Sequence, residues 1–350
     1  GLYAAPGYVL FVRGRNLMAQ PFDASEGTLN GESVVLAENL SFNTNRYTGA
    51  ISVSTRGTLV YLPSRSLSRL EWFDMEGRSQ GKVGEPAHYF NVALAPDGQR
   101  AVAGIRREDG KNDVWIIDAI RGTRAKFIEN TSHEWLVWSH DGRRIAYCDH
   151  ETRCHVRDTD DARKDIILGD GIASDWSPDG KMISVSRQDA KTFMDIFLLD
   201  AAGGSARPFN RTNDLEMAGM FSPDCKWLVY LSNQSGREQL VVAPLTGSGT
   251  VRQITFTGSN MIPCWLDDGT LLYSENSTGA KLFAQSTKLS GDSIEFGEPQ
   301  PRFGGLDLPS RVYSISHDGK RVLAAVPEDK NKSESLILVQ NWPGAISAPR

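Results

Sequence analysis

The sequence predicts an all-β protein, a β-propeller of four-stranded antiparallel blades, and three observations predict it. One turn motif recurs eight times at near-regular spacing, short runs of strand-forming residues flank each copy, and the 33 glycines and 16 prolines are spread along the 350 residues. Many short strands joined by Gly- and Pro-bearing turns are the mark of an all-β architecture.

The repeat is legible when the copies are aligned. "VALAPDGQRAVAG" from Val92, "LVWSHDGRRIAYC" from Leu136 and "SDWSPDGKMISVS" from Ser174 are followed by "GMFSPDCKWLVYL" from Gly219, "PCWLDDGTLLYSE" from Pro263 and "YSISHDGKRVLAA" from Tyr313. A weaker copy, "ISVSTRGTLVYLP", starts at Ile51, and a degenerate one, "GLYAAPGYVLFVR", opens the chain. The pivots Gly7, Gly57, Gly98, Gly142, Gly180, Cys225, Gly269 and Gly319 lie 50, 41, 44, 38, 45, 44 and 50 residues apart. A period of about 45 residues belongs to propeller blades of four strands.

Each copy has the same internal order. Its first strand ends in an apolar residue: Leu94, Trp138, Trp176, Phe221, Trp265 or Ile315. In the turn that follows, Pro presets the first φ, Asp bonds nearby backbone N–H groups, and Gly accepts a positive φ. A second strand such as "RIAY", "WLVY" or "TLLY" places Tyr147, Tyr230 and Tyr273 at matching positions. Third strands read "DVWIID" from Asp113, "DIFLLD" from Asp195, "QLVVAPL" from Gln239 and "KLFAQST" from Lys281, and short fourth strands read "AKFIE" and "VRQIT". Such a unit has two apolar faces and two open edges, so the copies must stack around an axis to be stable. No segment shows a sustained 3.6-residue apolar period, which argues against a helical domain.

Eight copies predict a single propeller domain over residues 1–350, with eight blades and seven as the alternative. The count is open at the ends. Gly1–Gly7 barely shows a first strand, and the last copy runs out at "SLILVQNW". Propellers close when one terminus completes the other's blade, and no spare N-terminal strand is evident in the sequence.

The formal net charge of −5 excludes a broad basic face for nucleic acid. No stretch approaches the roughly 20 apolar residues needed to cross a bilayer, so no membrane insertion of this segment is expected. The chain opens on Gly1 with no signal-type pattern in Gly1–Pro6, which predicts a processed protein or a piece of a longer one. Cys148, Cys154, Cys225 and Cys264 form no C-x-x-C pair and have no His at zinc spacing. Cys148 and Cys154 could face each other across a hairpin, either as a disulfide or as two small buried thiols.

Catalytic constellations are missing. The turn aspartates Asp97, Asp141, Asp179, Asp224, Asp268 and Asp318 occupy equivalent positions and are read as turn formers. Asp267 adds a second carboxylate at one turn, too little for a metal without further ligands. There is no G-x-S-x-G, and "LTGSGT" lacks the Lys and helix of a phosphate loop. No catalytic residue, metal or cofactor is expected.

"WSPDGKMISVS…DIFLLD" resembles the TolB-type repeat, a relative of the WD40-type blade with Ser-Pro-Asp-Gly in its first turn, and the resemblance spans the chain. "YVLFVRGRNLMAQPFD", "LEWFDMEGRSQGKVGE" and "LILVQNWPG" resemble the propeller regions of bacterial multidomain proteins that carry a kinase or winged-helix DNA-binding domain. No kinase or helix-turn-helix pattern occurs here. The resemblance implies a non-catalytic, monomeric binding or sensory module of a larger regulatory or envelope protein. It also implies a protein or peptide partner and a periplasmic or extracytoplasmic setting, with a cytoplasmic one as the alternative.

In propellers the entry ends of the first strands form the rim of a funnel. Counting back from the pivots gives Arg46, Tyr47, His88, Tyr89, His133, Glu134, Glu216, Met217, Asn260 and Arg311. Two Arg opposite two Glu could orient a zwitterionic peptide or a charged segment. The rival reading is a propeller hydrolase or lyase, for which His88, His133, Glu134 and Glu216 would be the available set.

Overall fold

The computed structural model describes residues 1–5, 7–13, 16–38, 40, 42–43, 48–63, 67–107, 109, 111–131, 135–149, 151–161, 163–191, 193–210, 212–246, 251–256, 263–275, 281–290, 293–302, 312–328 and 336–347. They form antiparallel strands and one short helix, Trp342–Ser347. The all-β prediction holds. No helix among the described residues is long and apolar enough to cross a membrane.

The chain divides into two compact units. The larger comprises Arg69–Ile105 and Asp113–Val326, the smaller Gly1–Ser68, Arg106–Asn112 and Pro327–Arg350.

Six pivots stand in the larger unit, and each begins one sheet. Sheet I uses the end of the 16-residue strand Ser79–Leu94 with Arg100–Arg106, Asn112–Asp118 and Arg124–Thr131. Sheet II is Leu136–Trp138, Arg144–Cys148, Arg153–Asp158 and Asp165–Asp170. Sheet III is Ile172–Trp176, Met182–Asp189, Phe193–Asp200 and Arg207–Asn210. Glu216–Phe221, Trp227–Ser232, Gln239–Pro244 and Arg252–Gln253 make sheet IV. Sheet V is Cys264–Trp265, Leu271–Glu275, Lys281–Gln285 and Gln300–Arg302, with the hairpin Thr287–Ser290/Ser293–Phe296 inserted before its last strand.

Sheet VI shows how the unit closes. Tyr313–Ile315 and Arg321–Pro327 begin it, and Ser68–Asp74 and the start of Ser79–Leu94 complete it. Strand Ser79–Leu94 thus ends sheet VI and begins sheet I, which makes the two one continuous seven-stranded path. The spare N-terminal strands that the sequence did not reveal are therefore residues 68–84.

Hydrophobic clusters join the sheets in a closed circuit. Leu136, Trp138 and Ile145 of sheet II pack on Val102 and Val114 of sheet I. Trp176 and Val185 of sheet III pack on Ala146 and Val156 of sheet II. Ile196 and Leu198 meet Phe221 and Tyr230 between sheets III and IV, and Trp227 and Val229 meet Trp265 and Tyr273 between IV and V. Leu272 and Leu282 of sheet V pack on Phe73 and Val322 of sheet VI. Leu70, Trp72 and Leu323 of sheet VI then reach Ala101, Ala103 and Ile117 of sheet I. Each sheet buries both faces, the arrangement that two-sided apolar strands require. Trp176, Tyr230, Tyr273 and Phe221 are among the largest fully buried side chains, and aromatic groups of that size dominate core energetics.

The two weak copies go elsewhere. In the smaller unit, Leu2–Ala4, Tyr8–Arg13, Asn16–Asp23 and Val34–Ala37 pair in succession. A second sheet joins Ile51–Val53, Leu59–Tyr61 and Ile337–Val339, with Ile337 opposite Tyr61 and Val339 opposite Leu59. Its core is Leu10, Leu17, Leu40, Leu59 and Trp342. The second and eighth copies have exchanged their outer halves: "LILV" joins the strand after Gly57, and residues 68–84 join the strands around Gly319. The eight copies therefore do not enter one circuit.

Candidate functional site

The turn between the first and second strands is built the same way in sheet after sheet. In sheet III the buried Ser177 hydroxyl donates to Asp179 Oδ1 at 2.7 Å and accepts the Met182 N–H at 2.9 Å, and the Lys181 N–H donates to the same Asp179 oxygen at 3.1 Å. Ser222 and Asp224 repeat the pattern in sheet IV, and Ser316 and Asp318 in sheet VI. The turn aspartates Asp97, Asp141, Asp179 and Asp318 are all held below the usual carboxylate range, the hydrogen bonds they accept outweighing their partial burial. They are turn formers, as the sequence predicts.

Equivalent positions in different sheets are where the copies diverge. The residue before the apolar end of each first strand is Ala93, Val137, Asp175, Met220, Cys264 and Ser314. One of the six is charged. Asp175 Oδ2 accepts the Phe221 N–H of the neighbouring sheet at 2.8 Å. Burial raises its pKa to about 7, against the lowering effect of the Phe221 and Trp176 amides. Burial also pushes the Cys264 thiol up to about 12, and the Asp175 charge adds to the effect. Tyr313 is raised as well, by burial and then by Cys264. A carboxyl raised by burial and bonded across to the neighbouring sheet makes Asp175 a candidate functional position.

A second divergence lies in the turn itself. The residue before the turn Asp is Pro96, His140, Pro178, Pro223, Asp267 and His317. The three that are not proline meet in space. The His140 and His317 rings stand edge to face with centroids 5.5 Å apart, and His317 Nδ1 lies 3.6 Å from Asp267 Oδ1. The Asp267 N–H donates to the His317 carbonyl at 3.1 Å, tying the turns of sheets V and VI together. Sheets II and VI are separated in the circuit by sheet I, so equivalent residues from them can touch only near the centre of the turn end. His140 is held below the usual imidazole range, first by loss of hydration and then by the facing His317.

The rim prediction meets the structure at four residues, one of which, Met217, packs against the core between sheets IV and V. Tyr89 is buried in the core between sheets VI and I, its hydroxyl donating to the Glu85 carbonyl at 3.1 Å, and His88 beside it is half-buried. Glu216 is fully buried at the start of sheet IV, where Oε1 accepts the Thr212 hydroxyl at 3.0 Å. Burial raises its pKa to about 7, Thr212 opposes this, and the charges of Asp195 and Asp214 add to it. Sheet IV is adjacent to neither VI nor I in the circuit. Arg46, Tyr47, His133, Glu134, Asn260 and Arg311 lie outside the described residues.

Several other buried polar groups are paired within their own sheets. The Tyr147 hydroxyl donates to Asp165 at 2.6 Å, and Arg157 pairs with the same carboxylate. Asp113, second in its third strand, accepts the Asn130 N–H at 3.0 Å and faces Lys126 at 3.3 Å. Cys148 and Cys154 are direct cross-strand partners, as their spacing predicts, and both are free, buried thiols. Burial pushes Cys148 up to about 12 and Cys154 up as well, which leaves little reactive thiolate.

Sequence reasoning missed Asp175 and the His140–Asp267–His317 group. The signal was present: all four depart from the repeat at matched positions, Asp175 five residues before its pivot and the other three two residues before theirs. Spacing along the chain, the usual guide to metal ligands, does not reveal residues that a repeat brings together across an axis.

The family described as the TolB beta propeller domain (PD40) matches residues 122–342. Over 89 residues the chain is 32% identical to the Tol-Pal system protein TolB of Wolinella succinogenes, a stretch covering 25% of this chain and 21% of that protein. The structure of putative TolB from Agrobacterium tumefaciens is similar with a TM-score of 0.56 and 17% identity, covering 75% of this chain and 98% of that one. TolB from Acinetobacter baumannii is similar with a TM-score of 0.50 and 13% identity, covering 95% of this chain and 80% of that one. At these identities the solved structures share the fold.

Proposed function

The chain belongs to the TolB β-propeller domain family, and on that premise we propose that it is a non-catalytic module that captures a protein or peptide partner in an extracytoplasmic, envelope setting. The larger unit acts as a complete six-bladed propeller, and residues 1–350 work as one module of a larger bacterial protein. The observation that carries this reading is the closed circuit of six apolar interfaces. A scaffold packed on every sheet face offers a preformed surface, so binding loses little conformational entropy.

The proposed contact surface is the funnel rim of the larger unit: His88, His133, Glu134, Asn260 and Arg311. Tyr89 and Glu216 support it from within their sheets, where both are buried. The charged members suit a partner segment that carries both signs of charge. The test is partner capture by crosslinking in cells of the source organism, followed by mass spectrometry. The chain carrying His133→Ala and Arg311→Ala together should lose the captured partner while keeping its melting temperature. Equal capture by both chains would remove the rim from the proposal.

A further inference from the structure

The geometry points to a divalent transition-metal site of the Zn(II) type at the turn end of the six-sheet unit, held by His140, His317 and Asp267. One donor atom from each residue lies within 4.8 Å of the others. A tetrahedral metal with bonds of about 2.0–2.2 Å needs donors about 3.4 Å apart, and the His317–Asp267 pair at 3.6 Å is already near that. His140 and Asp267 are exposed and His317 is half-buried, so modest side-chain rotations close the set and leave a coordination position open to water.

Three further observations favour a metal over a chance cluster. The first is the pattern of replacement. Of the six copies in the larger unit, three keep Pro96, Pro178 and Pro223, and the three without proline there are the three whose side chains meet. Proline presets the turn's φ, so giving it up is a loss for the turn that the turn itself does not repay. The second is hydrogen bonding. Among the described residues the His140 ring makes no protein hydrogen bond, and the only polar side-chain contact of His317 is with Asp267. The third is chemistry. Two imidazoles and one carboxylate suit zinc and its neighbours, whereas magnesium and calcium prefer all-oxygen shells.

The test uses the untagged full chain, stripped of metal by chelation. Zn(II) is titrated calorimetrically, and Co(II) is used as a visible-absorption probe of nitrogen and oxygen ligation. The expected result is one saturable site per chain that Mg(II) does not contest. Asp267→Asn, or His140→Ala, should weaken Zn(II) binding at least about 10-fold, since losing a ligand costs no less than losing its outer-shell partner. His140→Pro with His317→Pro should abolish the site and leave the circular dichroism spectrum and melting temperature intact, because proline stands at this position in three sister turns. Absence of saturable one-to-one binding would overturn the assignment. So would unchanged affinity in the double proline chain, which would place the metal elsewhere.

Discussion

Sheets II and III are consecutive copies of one unit, and they differ where it matters. The sheet II turn repeats the bonds of sheet III closely: Ser139 to Asp141 at 2.5 Å, the Arg143 N–H to Asp141 at 3.0 Å, and the Arg144 N–H to the Ser139 hydroxyl at 2.9 Å. Gly142 and Gly180 have φ of 66° and 74°. Yet sheet II carries His140 where sheet III carries Pro178, and sheet III carries Asp175 where sheet II carries Val137. The Ser, Asp and Gly of each turn belong to the scaffold. The positions facing the centre are free to differ, and chemistry collects there.

The largest expected effect comes from the one charged inner position. An aspartate ordinarily titrates near 3.9, whereas burial pushes Asp175 up to about 7, so the folded state holds its proton more tightly than the unfolded chain. Stability contributed by the protonated group is full below about pH 4 and is lost as pH rises through about 7. Asp175→Asn keeps an acceptor for the Phe221 N–H and removes the charge. It should stabilise the protein at pH 8 by on the order of 4 kcal/mol, with the gain shrinking toward zero near pH 4, as read from urea midpoints. A gain independent of pH would rule out the charge as its cause.

Next in size is the shared turn framework. Ser139→Ala and Ser177→Ala each strip a part-buried N–H of its acceptor, at an expected loss of roughly 1–1.5 kcal/mol. The two losses should match. A clear difference in chemical denaturation would show that the central residue does enter the turn's energetics.

Sheet IV offers a smaller test. Cys225 stands where its sisters have glycine and is held at a φ of 54°, a conformation unfavourable for a residue with a Cβ. Cys225→Gly should raise stability by about 1 kcal/mol, seen as a higher urea midpoint, and a loss would mean that the thiol packs productively. The smallest effect is that of His140→Pro in metal-free protein. A compatible proline should leave stability unchanged or add roughly 0.4–1 kcal/mol, and a melting curve shifted clearly downward would show that His140 serves the fold.

Much of this could be read from the chain alone. "SPDG" and its variants, the apolar strand ends before them and the third strands from Asp113, Asp195 and Gln239 all fall where the sequence puts them, because local turn chemistry and strand alternation determine them. The closure did not show, because Ser79–Leu94 reads as one strand although its two ends serve different sheets. The exchange of "LILV" for residues 68–84 is a choice between two apolar partners that alternation does not distinguish. At the site, Tyr89 lies within the strand Ser79–Leu94 and Glu216 opens its own strand, and polar residues at such positions are shared by rims and by buried positions alike. His140, Asp267 and His317 become neighbours only once the sheets are placed in a circuit.

That circuit is what every part of this account requires, and the histidine rings report on it directly. The chain has six histidines, so selective labelling leaves few imidazole signals to assign. With the His140 and His317 centroids 5.5 Å apart, a nuclear Overhauser cross-peak between their ring protons is expected in metal-free protein. Assigned rings with no cross-peak would separate sheets II and VI and contradict the closed arrangement.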